Sequence, residues 1–229
     1  MVLAFSATLF FVALGGMPLL DPDEGRHAEI ARRMLAGGEW LVPEFKGAAY
    51  LEKPPGFYWT VALAYRLFGV GAWAARLPSA AAAVAGVLAV FLAGRRLYGT
   101  RAGTVGALVL ATSCLYLMTG RLVLVDMAFS VPLAGAILYL ACWAERRERP
   151  FPAPAYVLAG AATLFKGPIA LVLFACTLAV HRLLSRDQRL VPDLRIGRGL
   201  LVAALVAAPP YAAAAFLHPE WLTGFLWKT

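Results

Sequence analysis

Charge is what this sequence has least of. Only 15% of its 229 residues are Asp, Glu, Lys or Arg, where a soluble domain carries roughly a quarter. With 61% hydrophobic residues and a mean hydropathy of +0.72, the deficit argues against an ordinary soluble helical protein. It points to helices that satisfy their own backbone hydrogen bonds in lipid. Cysteine is sparse too. Cys114, Cys142 and Cys176 lie in apolar runs, with no CxxC and no neighbouring histidine pair, so neither a disulfide framework nor a cysteine zinc site is expected. No Lys/Arg tract with interleaved aromatics occurs, so nucleic acid is not an expected partner. The net charge of +8 is read instead as cytoplasmic loops and contacts with anionic lipid headgroups. There is no internal repeat of roughly 20–50 residues and no inverted half-repeat of the transporter kind.

What is present is a series of apolar runs. Residues 2–20, 72–92, 103–118, 129–143, 154–165, 169–184 and 200–216 are read as seven spans, the last interrupted by Pro209 and Pro210. The first run lacks the basic flank and small-residue cleavage site of a signal peptide, so it is expected to be a retained helix. With the N-terminus in the cytoplasm, three basic clusters fall on the cytoplasmic side: Arg95, Arg96 and Arg101; Arg146, Arg147 and Arg149; Arg182, Arg186, Arg189, Arg195 and Arg198. This is the positive-inside pattern. Residues 56–69 are too short to span and rich in aromatics, which suits an interfacial helix. Arg66 and Arg76 are expected to snorkel to the interface.

The scarce charges are concentrated in residues 21–55, DPDEGRHAEIARRMLAGGEWLVPEFKGAAYLEKPP. Residues 24–36 read as a short helix along the membrane surface, with Asp21 or Asp23 as its N-cap, Ile30 and Met34 on one face and Gly37-Gly38 at its end. Pro54-Pro55 fixes an extended segment carrying Glu52 and Lys53. On the topology above, Asp23, Glu24, Arg26, Glu52, Lys53, Arg121, Asp126 and Lys166 reach one external level from three separate segments. Ionisable groups beside membrane segments are costly unless paired or functional. Arg and Lys suit phosphate, and an Asp beside a hydroxyl can act as a general base. Together they point to an amphipathic substrate with a phosphate headgroup and a lipid tail.

The motifs DPDEGRHAEIARRML, WLVP, YLEKPPGFYW, RLPSA, GRRLYG, LVDMAFS and FKGP, in that order, resemble those of the bacterial membrane glycosyltransferases of the C-type fold. The nearest likeness is to the lipid A aminoarabinose transferase family, which is related to the protein O-mannosyltransferases (glycosyltransferase family 39 type). The resemblance covers the whole chain, and it looks like the N-terminal half of such a protein. It implies an all-α, polytopic membrane helical bundle: about seven transmembrane helices and two interfacial helices, 24–36 and 56–69, in the first periplasmic loop, with residues 1–229 forming a single transmembrane domain. It also implies location in the bacterial inner membrane with an extracytoplasmic active face. The implied partners are membrane lipids and a lipid-linked sugar donor of the undecaprenyl phosphate type.

Carried over position by position, the resemblance makes Asp23 the catalytic carboxylate, with Asp126 as the second catalytic aspartate. Arg26, Lys53 and Lys166 become phosphate ligands, and Glu24, His27 and Glu52 supporting residues. His27 stands where the family has an aromatic residue. Glu52 matches a position associated with a divalent metal, zinc, shared with a histidine of a Glu-His motif that relatives carry beyond the point matching Thr229. The sugar and the acceptor stay open, because one architecture serves several of each. Two other readings are weighed against a transferase: a transporter or flippase of a lipid-linked phosphate compound, and a non-catalytic short relative that binds the lipid.

Overall fold

The structure, a computed structural model, describes residues 1–50, 52–145, 150–184 and 190–218. It is a helical bundle. In chain order it contains α1 (Val2–Phe11), α2 (Asp23–Gly37), strands β1 (Glu44–Phe45) and β2 (Ala48–Ala49), then α3 (Gly56–Phe68), α4 (Ala72–Tyr98), α5 (Thr100–Thr112), α6 (Cys114–Gly120), α7 (Val125–Ala144), α8 (Ala153–Lys166), α9 (Ile169–Leu184), α10 (Leu190–Leu194) and α11 (Ile196–Leu217). Among the described residues, Ala72–Tyr98, Val125–Ala144 and Pro192–Leu217 are long and apolar enough to cross a membrane. The pair α5 and α6, bent by 67°, makes a fourth when taken together. Arg146, Arg147, Arg149, Arg186 and Arg189 of the expected basic clusters lie outside the described residues.

Three of the expected apolar runs take a different form. The run 2–20 is helical only to Phe11. The carbonyls that a continuing helix would keep for itself are taken by two arginines. Arg121 donates to the carbonyls of Leu9 (2.6 Å) and Val12 (2.9 Å). Arg76 donates to those of Leu14, Met17 and Pro18, each at 2.9 Å. Irregular backbone at membrane depth is tolerated where protein satisfies it. The run 103–118 breaks at Ser113, which is extended (φ −63°, ψ 125°). The bend brings Tyr116 against α4, where its hydroxyl donates to the Ala83 carbonyl at 2.8 Å and sits where any Cβ on Gly86 would collide with it. The last run is not interrupted, since α11 continues through Pro209 and Pro210. It is braced against α8, with Tyr211 Oη donating to the Thr163 carbonyl at 2.9 Å.

α4 is the central element, in contact with α1, α3, α5, α6 and α7, while α7 leads to α8 and α8 to α9 and α11. The first loop is a folded cap. α2 buries Ile30, Ala31 and Met34 against Phe57, Tyr58 and Val61 of α3. Ile30 and Met34 thus share a face, which is turned onto α3. Phe57 and Tyr58, expected at the membrane interface, are fully buried. The exposed edge of this helix and its end is Leu63, Leu67, Phe68 and Val70. Between α2 and α3, β1 and β2 form a hairpin pairing Glu44 with Ala49 and Phe45 with Ala48. Its two-residue turn has positive φ at Lys46 (53°) and Gly47 (81°), as a type I′ turn requires.

One ion pair locks this cap to the bundle. Glu24 and Arg76 are only 2% and 3% exposed. Arg76 Nε and Nη2 donate to the two oxygens of Glu24 at 2.9 and 2.8 Å. Glu24 also accepts the backbone N–H of Leu20 (3.0 Å) and of Val123 (2.8 Å). With the three carbonyls above, all five guanidinium protons of Arg76 are used, and Glu24 accepts four hydrogen bonds. Arg76 therefore does not snorkel. It is a buried tie between four chain segments.

Removing one partner of a buried pair leaves a charge without compensation, at about 3–5 kcal/mol. Arg76→Ala is expected to lose that much stability, and Glu24→Gln rather less, because an amide retains part of the network. Thermal unfolding of the detergent-solubilised protein checks this. Melting curves unchanged by Arg76→Ala would show that the tie does not hold the cap.

Candidate active site

Backbone geometry first decides what Asp23 is free to do. The opening N–H groups of α2 are taken by backbone carbonyls: Glu24 by Leu20 (3.1 Å) and Arg26 by Pro22 (3.2 Å). The N-cap residue is Pro22, with no side-chain cap bond. Neither Asp21 nor Asp23 therefore serves as the expected side-chain cap. Asp23 begins the helix and stays exposed, paired with Arg26 one turn on. The guanidinium of Arg26 lies over the ring of Tyr50, 6.0 Å from its centroid. Its Nε is buried and has no acceptor among the described residues.

A second pair sits at the ends of two apolar helices. Asp126 is in the first turn of α7 and Lys166 is the last residue of α8, so each charge suits its helix dipole. Lys166 Nζ donates to Asp126 Oδ1 at 2.7 Å and lies 5.2 Å from the Phe129 ring centroid. The segment carrying Lys53 reaches the same region because Pro54, Pro55 and Gly56 pack against Leu164 of α8 and Pro210 and Tyr211 of α11. A Cβ on Gly56 would strike the Leu164 carbonyl, so glycine is what allows α3 to start there. Lys53 itself is half-buried and has no ion-pair partner among the described residues.

His27 lies among these groups and reports their convergence. It is 5% exposed, with Nδ1 3.1 Å from Tyr58 Oη. Burial is the main influence that pushes its pKa down to about 4; the charge of Arg26 and then that of Lys53 push the same way, against Asp23 and Asp126. The charges expected to gather here thus act on one imidazole from α2, the hairpin exit and α7. Glu52 accepts a hydrogen bond from Tyr50 Oη at 2.7 Å. Among the described residues no three His, Cys, Asp or Glu side chains come together as a metal would need. Glu52 alone does not make the zinc site that the resemblance implies.

Glu24 is turned inward, and the four hydrogen bonds it accepts leave its carboxylate engaged with protein on every side. Its pKa nonetheless lies below the usual carboxylate value: burial raises it, but the hydrogen bonds from Arg76, Leu20 and Val123 together outweigh that. Arg121, expected at the same level as the site, is spent on the end of α1. Sequence reasoning missed Tyr50 and Tyr58. Tyr50 lies two residues before Glu52 in AAYLEKPP, a position that hydropathy gives no reason to single out.

The sequence model of the dolichyl-phosphate-mannose-protein mannosyltransferase family matches residues 52–212. The undecaprenyl phosphate-alpha-4-amino-4-deoxy-L-arabinose arabinosyl transferase of Edwardsiella ictaluri is 33% identical over 224 residues, 95% of this chain and 40% of that protein. The protein of the same name from Aeromonas salmonicida is 31% identical over 97% of this chain and 42% of its own length. This chain therefore spans about two-fifths of the length of the curated relatives it matches. Among solved structures, ArnT from Cupriavidus metallidurans in the apo state superposes with a TM-score of 0.91 at 26% identity, covering 100% of this chain and 43% of that one. The same protein bound to undecaprenyl phosphate gives 0.89 at 29% identity, covering 99% and 43%.

The depressed pKa of His27 makes stability depend on pH. An unfolded histidine takes up a proton below about 6.5, whereas the folded one stays neutral down to about 4. The unfolded state binds more protons in that window, so stability is complete above about 6.5 and falls as pH drops towards 4. The loss is about 3 kcal/mol. Glu29, held down to about 2 by hydrogen bonds from Arg32 and Arg33, adds a loss of the same sign at lower pH. Unfolding followed from pH 7.5 to about 4.5 should show a steeper decline for the wild type than for His27→Gln. Parallel declines would remove His27 from the explanation.

Proposed function

We propose that this chain, which belongs to the dolichyl-phosphate-mannose-protein mannosyltransferase family, builds the donor-binding half of an integral-membrane glycosyltransferase site. The donor is a sugar linked to a polyprenyl phosphate, and the site faces away from the cytoplasm in the bacterial inner membrane. The relatives named above are arabinosyl transferases, so an undecaprenyl-phosphate-linked aminoarabinose is the first donor to test and lipid A the first acceptor. In this reading α1, α8 and α9 join the longer helices as membrane crossings, seven in all, with α2 and α3 lying at the outer interface. Arg95 and Arg96, in the last turn of α4, then lie on the cytoplasmic side.

The observation that carries the reading is the arrangement of cations and carboxylates at one lip of the bundle. Lys166 is paired with Asp126 and Arg26 with Asp23. Among the described residues Lys53 has no ion-pair partner, and Arg26 has one buried donor nitrogen without an acceptor. A phosphate presented here meets three cations whose side chains are partly shielded from water, where charge-assisted hydrogen bonds are strong. The donor bond from the anomeric carbon to the phosphate oxygen breaks, and the polyprenyl phosphate leaves with the electron pair. Lys53, Arg26 and Lys166 stabilise the charge that develops on it. A new bond forms from the anomeric carbon to the acceptor oxygen. Where that oxygen is a hydroxyl, Asp23 takes its proton; where it belongs to a phosphate, Asp23 stabilises positive charge at the sugar instead. Asp126 holds Lys166 in place and adds negative charge beside the sugar.

Asp23→Asn in the nanodisc-reconstituted protein is expected to reduce sugar transfer by about 10²- to 10⁴-fold. Binding of undecaprenyl phosphate should stay within about threefold, because the cations remain. Lys53→Ala should weaken that binding by about tenfold or more, through loss of one charge-assisted contact. Undiminished transfer by the Asn variant would remove Asp23 from catalysis, and unaltered lipid affinity in the Ala variant would remove Lys53 from the phosphate site.

A further inference from the structure

The early end of α1 leaves a groove. Between the non-helical residues 12–20 and the connection from α6 to α7 lies an open cavity of about 610 Å³, a size that suits a small-molecule or lipid ligand. One wall is Leu14, Met17 and Leu20, and the other is Leu117, Met118 and Leu122. Met17, Leu20 and Met118 are exposed along it, and the unbranched thioether chains of methionine adapt to a flexible occupant. Asp23, Arg26, Lys53, Asp126 and Lys166 do not line this groove, so it is separate from the candidate active site.

Two arginines stand in the groove, and they differ in what they have left. Arg76 has all its N–H groups engaged, and its charge is met by Glu24. Arg121 is half-buried. Its bonds to the carbonyls of Leu9 and Val12 use one proton on each Nη, of the five N–H groups that a guanidinium carries. Among the described residues the Nε proton and the second proton on each Nη have no acceptor, and no carboxylate pairs with Arg121. The groove thus combines apolar walls with one unmatched positive charge. A neutral lipid or an apolar helix lying in it would leave that charge unpaired. A phosphodiester joined to acyl chains satisfies both the charge and the walls, and basic pockets between membrane helices take such headgroups. On the topology proposed above the groove lies in the outer half of the membrane, where the positive-inside rule gives no reason for an arginine.

We propose that this groove binds one anionic phospholipid of the surrounding membrane, with its phosphodiester on Arg121 and an acyl chain along the apolar walls. The lipid braces the short α1 against α6. It is a bound component and not the sugar donor, whose phosphate is assigned above to Lys53, Arg26 and Lys166, and the site does not depend on that assignment.

The test is native mass spectrometry of the detergent-solubilised protein, with palmitoyl-oleoyl phosphatidylglycerol and the phosphatidylcholine of the same chains as probes. One phosphatidylglycerol should be retained, with an affinity about tenfold or more above that for phosphatidylcholine. Arg121→Gln removes the charge and keeps an amide to donate to a carbonyl. Met118→Trp fills the groove and leaves Arg121 in place; Met118 is exposed, so the change leaves the core intact. Each variant should bind phosphatidylglycerol about tenfold or more weakly. Each should also lose the rise in melting temperature that this lipid gives the wild type. Binding of undecaprenyl phosphate should be unchanged in Met118→Trp. The proposal is overturned if the wild type retains no phosphatidylglycerol, if it retains both lipids equally, or if either folded variant binds as the wild type does. An equal loss of undecaprenyl phosphate in Met118→Trp also overturns it, by making the groove part of the donor site. If Arg121→Gln does not fold, Met118→Trp decides alone.

Discussion

The rest of the structure depends on the buried pair of Glu24 and Arg76. Two opposite charges removed from water are costly, and they are tolerated only when every remaining lone pair and proton finds a partner. Here they do. The guanidinium gathers three carbonyls from residues 14–18, and the carboxylate gathers two backbone N–H groups, from Leu20 and Val123. One contact thereby fixes the irregular exit of α1, the start of α2, the N-terminal end of α4 and the approach to α7. Asp23 is the residue before Glu24, and Asp126 lies three residues after Val123. The position of both candidate carboxylates follows from a pair that itself has no oxygen or proton left for a substrate.

Around that tie the site is assembled from small offsets of charge. Asp23 pairs with Arg26 and Asp126 with Lys166, so each carboxylate partly cancels a cation. Lys53 has no such neighbour among the described residues. The neutral state of His27 follows from the same distribution: burial disfavours its charge, and Arg26 and Lys53 add to that more than the aspartates subtract. A buried imidazole that stays neutral adds no further charge beside these cations. The two pairs are joined by packing, notably the close approach of Gly56 to Leu164 and the bracing of α8 by Tyr211.

Much of this was legible in the residues. The concentration of charge in 21–55, the helical segments on either side of WLVP and YLEKPP, and the positions of Asp126 and Lys166 at the ends of apolar helices all follow from hydropathy and spacing. The family likeness was legible too, because its motifs are short, ordered and spread over the whole chain. Hydropathy misled where polar side chains met backbone. Residues 12–20 are as apolar as a helix needs, yet Arg76 and Arg121 draw their carbonyls away. Ser113 breaks a run that looks continuous because Tyr116 gains a seat on α4. Arg76 reads as an interfacial cation because the sequence does not show which acid, 52 residues earlier, will meet it.

The sequence by itself determined that this is a helical membrane chain with a polar first loop, because burial in lipid demands long apolar runs and leaves charge only where it is used. It also determined which residue types could serve a phosphate and a sugar. Only the tertiary structure decided which charges do which work. It turned Glu24 and Arg76 inward as a strut, spent Arg121 on the end of α1, left Lys53 without a counter-ion among the described residues and set Tyr58 against His27 and Tyr50 against Glu52. The reason is that a charge's role is set by what it meets across the fold, and neither hydropathy nor helical period carries that information.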